Sequence, residues 1–280
     1  MSSRLIAMSG GLLLIAAAAA AQGVIVSPPV LVLDHRTRSM SLELFNPGDR
    51  PTEVRVELLF GYPVTDANGD FQLEVPDPIP SSFPSATRWL EAYPARAIIP
   101  AGGRQTVRFL ATPPAALADG ESWTRLAISS RFAAPRQDSA AVDTTRLTTQ
   151  LSIEIRAVTT LLYRKGAVTT SIVLSDGRAR QVGDSLEVRA RLEHGGNAAY
   201  LGTIQYAIED MTGRTLRSVD LPIGVYVPMD PRIFIPLNGL PPGAYRVVIT
   251  ARAERKDLLK ESILAVPDRA IRFDVTVLPR

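Results

Sequence analysis

Residues 148–164, Thr-Thr-Gln-Leu-Ser-Ile-Glu-Ile-Arg-Ala-Val-Thr-Thr-Leu-Leu-Tyr-Arg, decide the fold of this chain. Leu151, Ile153 and Ile155 alternate with polar residues, and this period of two predicts a strand with one apolar and one polar face. Two interpretations are open from the pattern alone. The segment is either a half-buried strand of a β-sandwich or a strand that lends its apolar side chains to another protein.

Composition limits the classes of protein to which the chain can belong. It has 280 residues, of which 46% are hydrophobic, so a substantial core can form. The formal charge is only +3, and no block of Lys and Arg with interleaved aromatic residues occurs, so we predict no nucleic-acid partner. The chain contains no cysteine, which excludes disulfides and thiol chemistry.

The N-terminus has the pattern of a secretory signal peptide. Arg4 supplies a positive charge, residues 12–21 form an apolar core, and the alanine run offers cleavage sites, most simply after Ala21. A membrane span needs about 20 apolar residues, and this stretch is shorter. We therefore predict a signal peptide over residues 1–21 and a mature protein without a membrane span.

Beyond this segment, short apolar or alternating runs are separated by turn residues. Residues 39–45 and 52–60 alternate on either side of Asn46-Pro47-Gly48-Asp49, a strong turn signal. The runs at 98–100 and 106–111 flank Gly102-Gly103, which predicts a further hairpin. About seven such strands at sandwich spacing and no convincing helix occur before residue 165, and the same pattern returns after Gly166. The sequence predicts an all-β protein with two immunoglobulin-like β-sandwich domains in tandem, residues 22–164 and residues 165–280.

Motifs of catalysis or metal binding are absent from the sequence. His35 and His194 lie far apart, and no hydrolase, metalloprotease or phosphate-loop motif occurs. Asp66, Asn68 and Asp70 resemble part of a calcium loop, but no Glu closes it, and Asn68-Gly69 favours a plain hairpin turn. We predict that the protein is not an enzyme and uses no cofactor and no metal.

Several stretches, taken in order, resemble the N-terminal domain of PapD-like periplasmic pilus-assembly chaperones. None of these stretches is specific to the family by itself, but their order and spacing over about 140 residues are specific. The stretches are Arg38-Ser39-Met40-Ser41-Leu42-Glu43-Leu44-Phe45-Asn46, Pro94-Ala95-Arg96-Ala97-Ile98-Ile99-Pro100, Gln105-Thr106-Val107-Arg108-Phe109, Gly120-Glu121-Ser122-Trp123 and Leu161-Leu162-Tyr163-Arg164. Residues 165–280 are a weaker match to the family's second domain.

This resemblance implies donor-strand complementation, in which the chaperone adds its own strand to a subunit sandwich that lacks one. Leu151, Ile153 and Ile155 would fill the open groove of the client. The client would be a pilus, fimbrial or other surface subunit in the periplasm, an outer-membrane usher would be a further partner, and the process would be fimbrium biogenesis and cell wall organization. The alternative is a two-domain structural or adhesive envelope protein that uses the same fold for another interaction.

The family also holds the client's terminal carboxylate with two basic residues, and this chain departs from that pattern. The aligned positions are Val30 and Thr160, which are not basic. Either other groups such as Arg36 or Arg156 hold the carboxylate, or the client is not held in this way, and we count Arg156 among the predicted subunit-binding residues.

Two further family positions are occupied by Glu121 and Arg164, which the resemblance predicts to form an ion pair between the domains. The polar segment 133–145 is predicted to be a long loop that shields the donor edge.

Overall fold

The computed structural model describes residues 23–133 and 153–279 and consists almost entirely of strands. The strands before residue 166 are β1 (Ile25–Ser27), β2 (Val30–Asp34), β3 (Ser39–Phe45), β4 (Thr52–Leu59), β5 (Tyr62–Thr65), β6 (Phe71–Glu74), β7 (Leu90–Tyr93), β8 (Arg96–Ile99), β9 (Arg104–Ala111), β10 (Gly120–Phe132) and β11 (Ile155–Lys165). Those that follow are β12 (Thr170–Val182), β13 (Ser185–Gly196), β14 (Tyr200–Glu209), β15 (Thr215–Val225), β16 (Arg232–Pro236), β17 (Gly243–Arg252) and β18 (Arg269–Val277).

The first sandwich packs two sheets face to face. One has the order β1-β3-β9-β7 and the other β2-β11-β10-β4-β8, while β5 and β6 form a separate hairpin. Because side chains alternate along a strand, each strand sends every second residue into the core. Leu42, Phe109, Leu126, Leu161 and Tyr163 are all fully buried there.

The chain changes sheet at Pro28 and Pro29. Before them, β1 pairs antiparallel with β3 in one sheet, and after them β2 pairs parallel with β11 in the other. Proline has no backbone N–H and cannot continue a ladder, so this pair of prolines suits the switch. As a result, β11 gains a second neighbour, but only along the five residues of β2.

The second sandwich is built from one sheet of order β12-β13-β16 and one of order β15-β14-β17-β18. Its core includes buried tyrosines as well as aliphatic residues, and Tyr200 and Tyr206 are fully buried. Burial raises the pKa of both phenols well above the usual value. A short 3₁₀ helix at Lys260–Ser262 is the helical element of the described chain.

The predicted fold class is confirmed, since the described residues form two β-sandwiches in tandem. One local prediction is wrong: the strands on either side of Gly102-Gly103 do not form a hairpin. β8 joins the five-stranded sheet and β9 the four-stranded sheet, so the turn crosses between layers. The signal peptide, Leu151 and nearly all of the loop at 133–145 lie outside the described residues.

Candidate functional site: an open strand edge beside a cleft

Strand β11 has two neighbours along one half and a single neighbour along the other. β10 pairs with it from Ile155 to Lys165, whereas β2 pairs with it only from Thr160 to Arg164. Within the described residues, no strand lies on the outer edge of β11 between Ile155 and Val158. This edge therefore presents backbone groups to which another strand can be added.

The apolar side chains of this half are exposed to solvent. Ile153 is 48% exposed, Ile155 is 36% exposed and Val158 is 46% exposed. Leu161 and Tyr163, which continue the face of Ile155, are completely buried in the core of the first sandwich. One face of β11 is therefore buried in the core at Leu161 and Tyr163 but partly exposed to solvent at Ile155.

Arg156 lies on the other face of β11. Its Nη2 is 3.5 Å from Oε2 of Glu57, and both side chains are substantially exposed. Glu57 also pairs with Arg55 at 2.6 Å. Arg156 belongs to this charged outer surface of the sheet, where ion pairs are weak and easily exchanged. Arg36 lies in the exposed turn after β2, where its backbone N–H donates to Asp34.

An apolar cluster joins the two sandwiches where β10 and β11 approach the second one. Phe60, Trp123 and Leu162 from the first sandwich are buried against residues of the second. The rings of Trp123 and Tyr226 lie 4.9 Å apart. Trp123 and Tyr226 also line a cleft between the sandwiches.

Glu121 and Arg164 form a buried ion pair in this region. Nε of Arg164 donates to Oε2 of Glu121 at 2.8 Å, and the Glu121 side chain is fully buried. Both partners also reach the second sandwich, since Oε1 of Glu121 accepts from the Ala199 N–H and Nη2 of Arg164 donates to the Ser262 carbonyl. Burial raises the pKa of Glu121, and Arg164 opposes that rise in part.

The structure adds one residue that sequence comparison did not select, Arg125 on β10. It lies directly opposite Thr160, which in turn lies opposite Val30, so the three occupy one row across β10, β11 and β2. Val30 and Thr160 are the two positions at which the family resemblance expects basic residues. This row of residues therefore still contains a cation, Arg125, which lies on β10 instead of on β2 or β11.

Arg125 is 7% exposed, yet its guanidinium is incompletely paired. Its Nε donates to the Gly61 carbonyl at 2.9 Å, and its Nη1 donates to the Thr160 hydroxyl. The guanidinium carbon lies 4.7 Å from the centre of the Tyr226 ring. Nη2 is buried without a hydrogen-bond partner among the described residues. A buried cation with a free donor is costly, and an incoming anion would relieve that cost.

Metal and membrane sites do not emerge from the described residues. No group of His, Cys, Asp or Glu among them is arranged to hold a metal ion. Asp66 instead caps its own turn, since its side chain accepts from the backbone N–H groups of Asn68 and Asp70. In the described part of the chain no helix has the length and apolarity needed to cross a membrane.

No protein-family model matches the sequence, and no curated protein matches it. Among solved structures, the chain is similar to the YadV chaperone, with 13% identity, a TM-score of 0.43, and coverage of 91% of this chain and 99% of that one. It is also similar to the Pseudomonas aeruginosa CupB2 chaperone, with 11% identity, a TM-score of 0.40, and coverage of 90% and 100%. A chain from the Salmonella enterica complex of the SafA pilin with the SafB chaperone shows 15% identity, a TM-score of 0.38, and coverage of 82% and 90%.

Proposed function

We propose that this protein is a periplasmic chaperone that caps pilus, fimbrial or other surface-fibre subunits by lending them a strand. The observation that carries this proposal is the open outer edge of β11 between Ile155 and Val158, with its exposed apolar side chains. A subunit whose sandwich lacks one strand has an apolar groove bordered by unpaired backbone groups. The edge of β11 supplies backbone hydrogen bonds for those groups and side chains for the groove.

The energetics favour a bound edge over a free one. Full burial of an isoleucine side chain stabilises by about 1.5–3 kcal/mol. Ile153 and Ile155 are each roughly half to two-thirds buried already, so only part of that free energy remains to be gained. Leu151, the third predicted donor, lies outside the described residues and precedes Ile153 in the same alternating sequence pattern. A bare edge of this kind invites unspecific pairing, and a cognate client removes that hazard.

Arg125 completes the proposed site, in place of Arg36 or Arg156. A client chain that runs along β11 toward the cleft ends near the row of Val30, Thr160 and Arg125. Nη2 of Arg125 has no hydrogen-bond partner among the described residues, and Nη1 of the same guanidinium donates to the Thr160 hydroxyl, so Nη2 and that hydroxyl can both donate to a terminal carboxylate. Arg156 already has Glu57 as its partner on the exposed surface, which makes it a weaker choice.

The buried pair Glu121–Arg164 would orient the two sandwiches around this cleft, because each partner contacts both of them. Such a pair contributes more to a unique arrangement than to net stability. Export through the signal peptide at residues 1–21 and hand-over to an outer-membrane usher belong to the same proposal.

A substitution on the edge tests the proposal. In periplasmic extracts, the wild-type protein should co-purify with one subunit in one-to-one stoichiometry. Ile153→Asp should abolish that partner while changing the melting temperature little, since 48% of its side chain is already exposed. Val173→Asp is the matched control, because Val173 is 54% exposed on edge strand β12 of the second sandwich, and it should retain the partner.

Two outcomes would contradict the proposal. The first is unchanged capture by Ile153→Asp together with normal melting. The second is assembly of the purified protein into oligomers through the same edge without any subunit, which would favour the structural envelope protein instead.

A further inference from the structure

The β5–β6 hairpin leaves the first sandwich and reaches across to the second. All four residues of β6 are exposed, whereas those of β5 are half-buried and Tyr62 packs against the apolar cluster between the sandwiches. A two-stranded hairpin of this length has little stability of its own. Its position therefore depends on the packing of Tyr62 near its root at Gly61 and on the contacts of its tip at residues 66–70.

The tip is bound to the second sandwich by backbone and side-chain contacts. The Arg232 N–H donates to the Gly69 carbonyl at 2.9 Å, and Nη2 of Arg232 lies 2.7 Å from both carboxylate oxygens of Asp70. The Asp230 N–H donates to the Thr65 hydroxyl at 2.8 Å. Nη1 of Arg189 adds a bond to the Asn68 carbonyl at 3.2 Å. These contacts join the sandwiches in addition to the apolar cluster and the Glu121–Arg164 pair.

This tie is of modest strength. The Arg232 and Asp70 side chains are 26% and 55% exposed, and exposed ion pairs contribute little. Nε of Arg189, Nε of Arg232 and Oδ1 of Asp230 are buried without hydrogen-bond partners among the described residues. Buried polar groups of this kind weaken a contact and make its release less costly.

The root of the hairpin borders the Arg125 site. The Gly61 carbonyl accepts from Nε of Arg125 at 2.9 Å and from Nε1 of Trp123 at 3.1 Å. Tyr226 of the second sandwich covers the guanidinium from the other side. Because Nη2 of Arg125 is shielded from solvent, a ligand can reach it only after one of these walls moves.

We infer that the β5–β6 hairpin is a strap that clamps the second sandwich against the first and keeps the Arg125 site closed until a client arrives. Release of the tip lets Tyr226 move away from Arg125 and opens the cleft. The strap itself is independent of any client, and its role in client entry rests on the proposed function. Strap opening and client capture are therefore measured separately.

Opening is measured by quenching of Trp123 fluorescence with iodide, in a Trp89→Phe background that leaves Trp123 as the sole tryptophan. Asp70→Asn removes the ion pair at the tip and should raise the quenching constant roughly two- to fivefold. Gly69→Val pushes the tip away by another route, because a Cβ at this residue would lie 2.8 Å from the Arg232 Cβ and 2.9 Å from the Asp230 carbonyl oxygen. Its effect should be at least as large.

Matched controls exist for both variants. Asp274→Asn breaks an exposed ion pair with Arg246 inside the second sandwich. Gly213→Val imposes a side chain at φ +89°, close to the +87° of Gly69, but with no atom within 4 Å. Both controls should quench like the parent protein. If the quenching constants of Asp70→Asn and Gly69→Val equal those of the two controls, the hairpin does not act as a strap.

The client arm uses the subunit that co-purifies with the wild-type protein. Strap-opened variants should associate with it about two- to fivefold faster than the parent. A higher quenching constant with an unchanged association rate would overturn the role of the strap in client entry. It would still support the strap as a clamp between the sandwiches. If no subunit co-purifies with any variant, the proposed function fails, while the quenching result still decides whether the strap exists.

Discussion

The two halves of strand β11 share one alternating pattern but have opposite surroundings. From Thr160 to Arg164 the strand lies between β10 and β2, and Leu161 and Tyr163 are completely buried. From Ile155 to Val158 it has β10 on one side only, and Ile155 is 36% exposed. The length of β2, rather than the residues of β11, decides where the core ends. One strand can therefore be a structural element at one end and a binding element at the other.

The largest effect should come from the buried half. Leu161→Ala removes a fully buried side chain and should lower the free energy of unfolding by about 2–5 kcal/mol. Ile155→Ala should lower it by less than about 1 kcal/mol, because much of that side chain already faces solvent. Denaturant unfolding of the two variants side by side checks this contrast. Equal losses would show that both halves belong to the core.

Arg125→Gln comes next and tests the cleft end of the row. The client's affinity should fall by about 1.5–3 kcal/mol, since a charge-assisted hydrogen bond to the carboxylate is lost. Stability should stay level or rise, because the variant removes a buried cation that lacks an acidic partner among the described residues. Client titration and thermal melting measure the two quantities. A large fall in melting temperature with normal affinity would make Arg125 purely structural.

Ile155→Ala should weaken client binding by about 1–2 kcal/mol, as expected for the methylene and methyl groups that would enter the client's groove. The same titration with Val173→Ala provides the comparison on an edge of the second sandwich. If the two alanine variants bind the client equally well, the apolar side chains of β11 do not enter it.

Arg156→Gln should have the smallest effect, below about 1 kcal/mol on both stability and client affinity. Its ion pair with Glu57 spans 3.5 Å on an exposed surface. Titration at low and high salt checks the weak electrostatic term that remains. An affinity loss as large as that of Arg125→Gln would move the carboxylate site to Arg156.

The fold was predictable because it depends on local patterns. Alternation over 39–45 and 52–60 predicted β3 and β4, and Asn68-Gly69 predicted the turn that joins β5 and β6. The hairpin predicted at Gly102-Gly103 was wrong, because turn residues do not reveal whether the next strand stays in the same sheet. That choice depends on the packing of whole sheets.

The candidate site was predictable only along the strand. Ile153 and Ile155 stand out by their alternation, and the structure places them at the exposed end of β11. Arg125 could not be found in this way, because its link to Thr160 and Val30 depends on the register across three strands. Arg125 is one of two arginines in a strand that also contains Glu, Ser and Thr residues, so no sequence signal set it apart.

Amide hydrogen exchange along β11, with and without the co-purified subunit, tests the donor edge most directly. Amides at the outer edge between Ile155 and Val158 should exchange freely in the isolated protein and become at least about tenfold more protected in the complex. Amides from Thr160 to Arg164 should be protected in both states, because β2 already covers them. Unchanged exchange between Ile155 and Val158 in a complex that has formed would contradict strand donation by this edge.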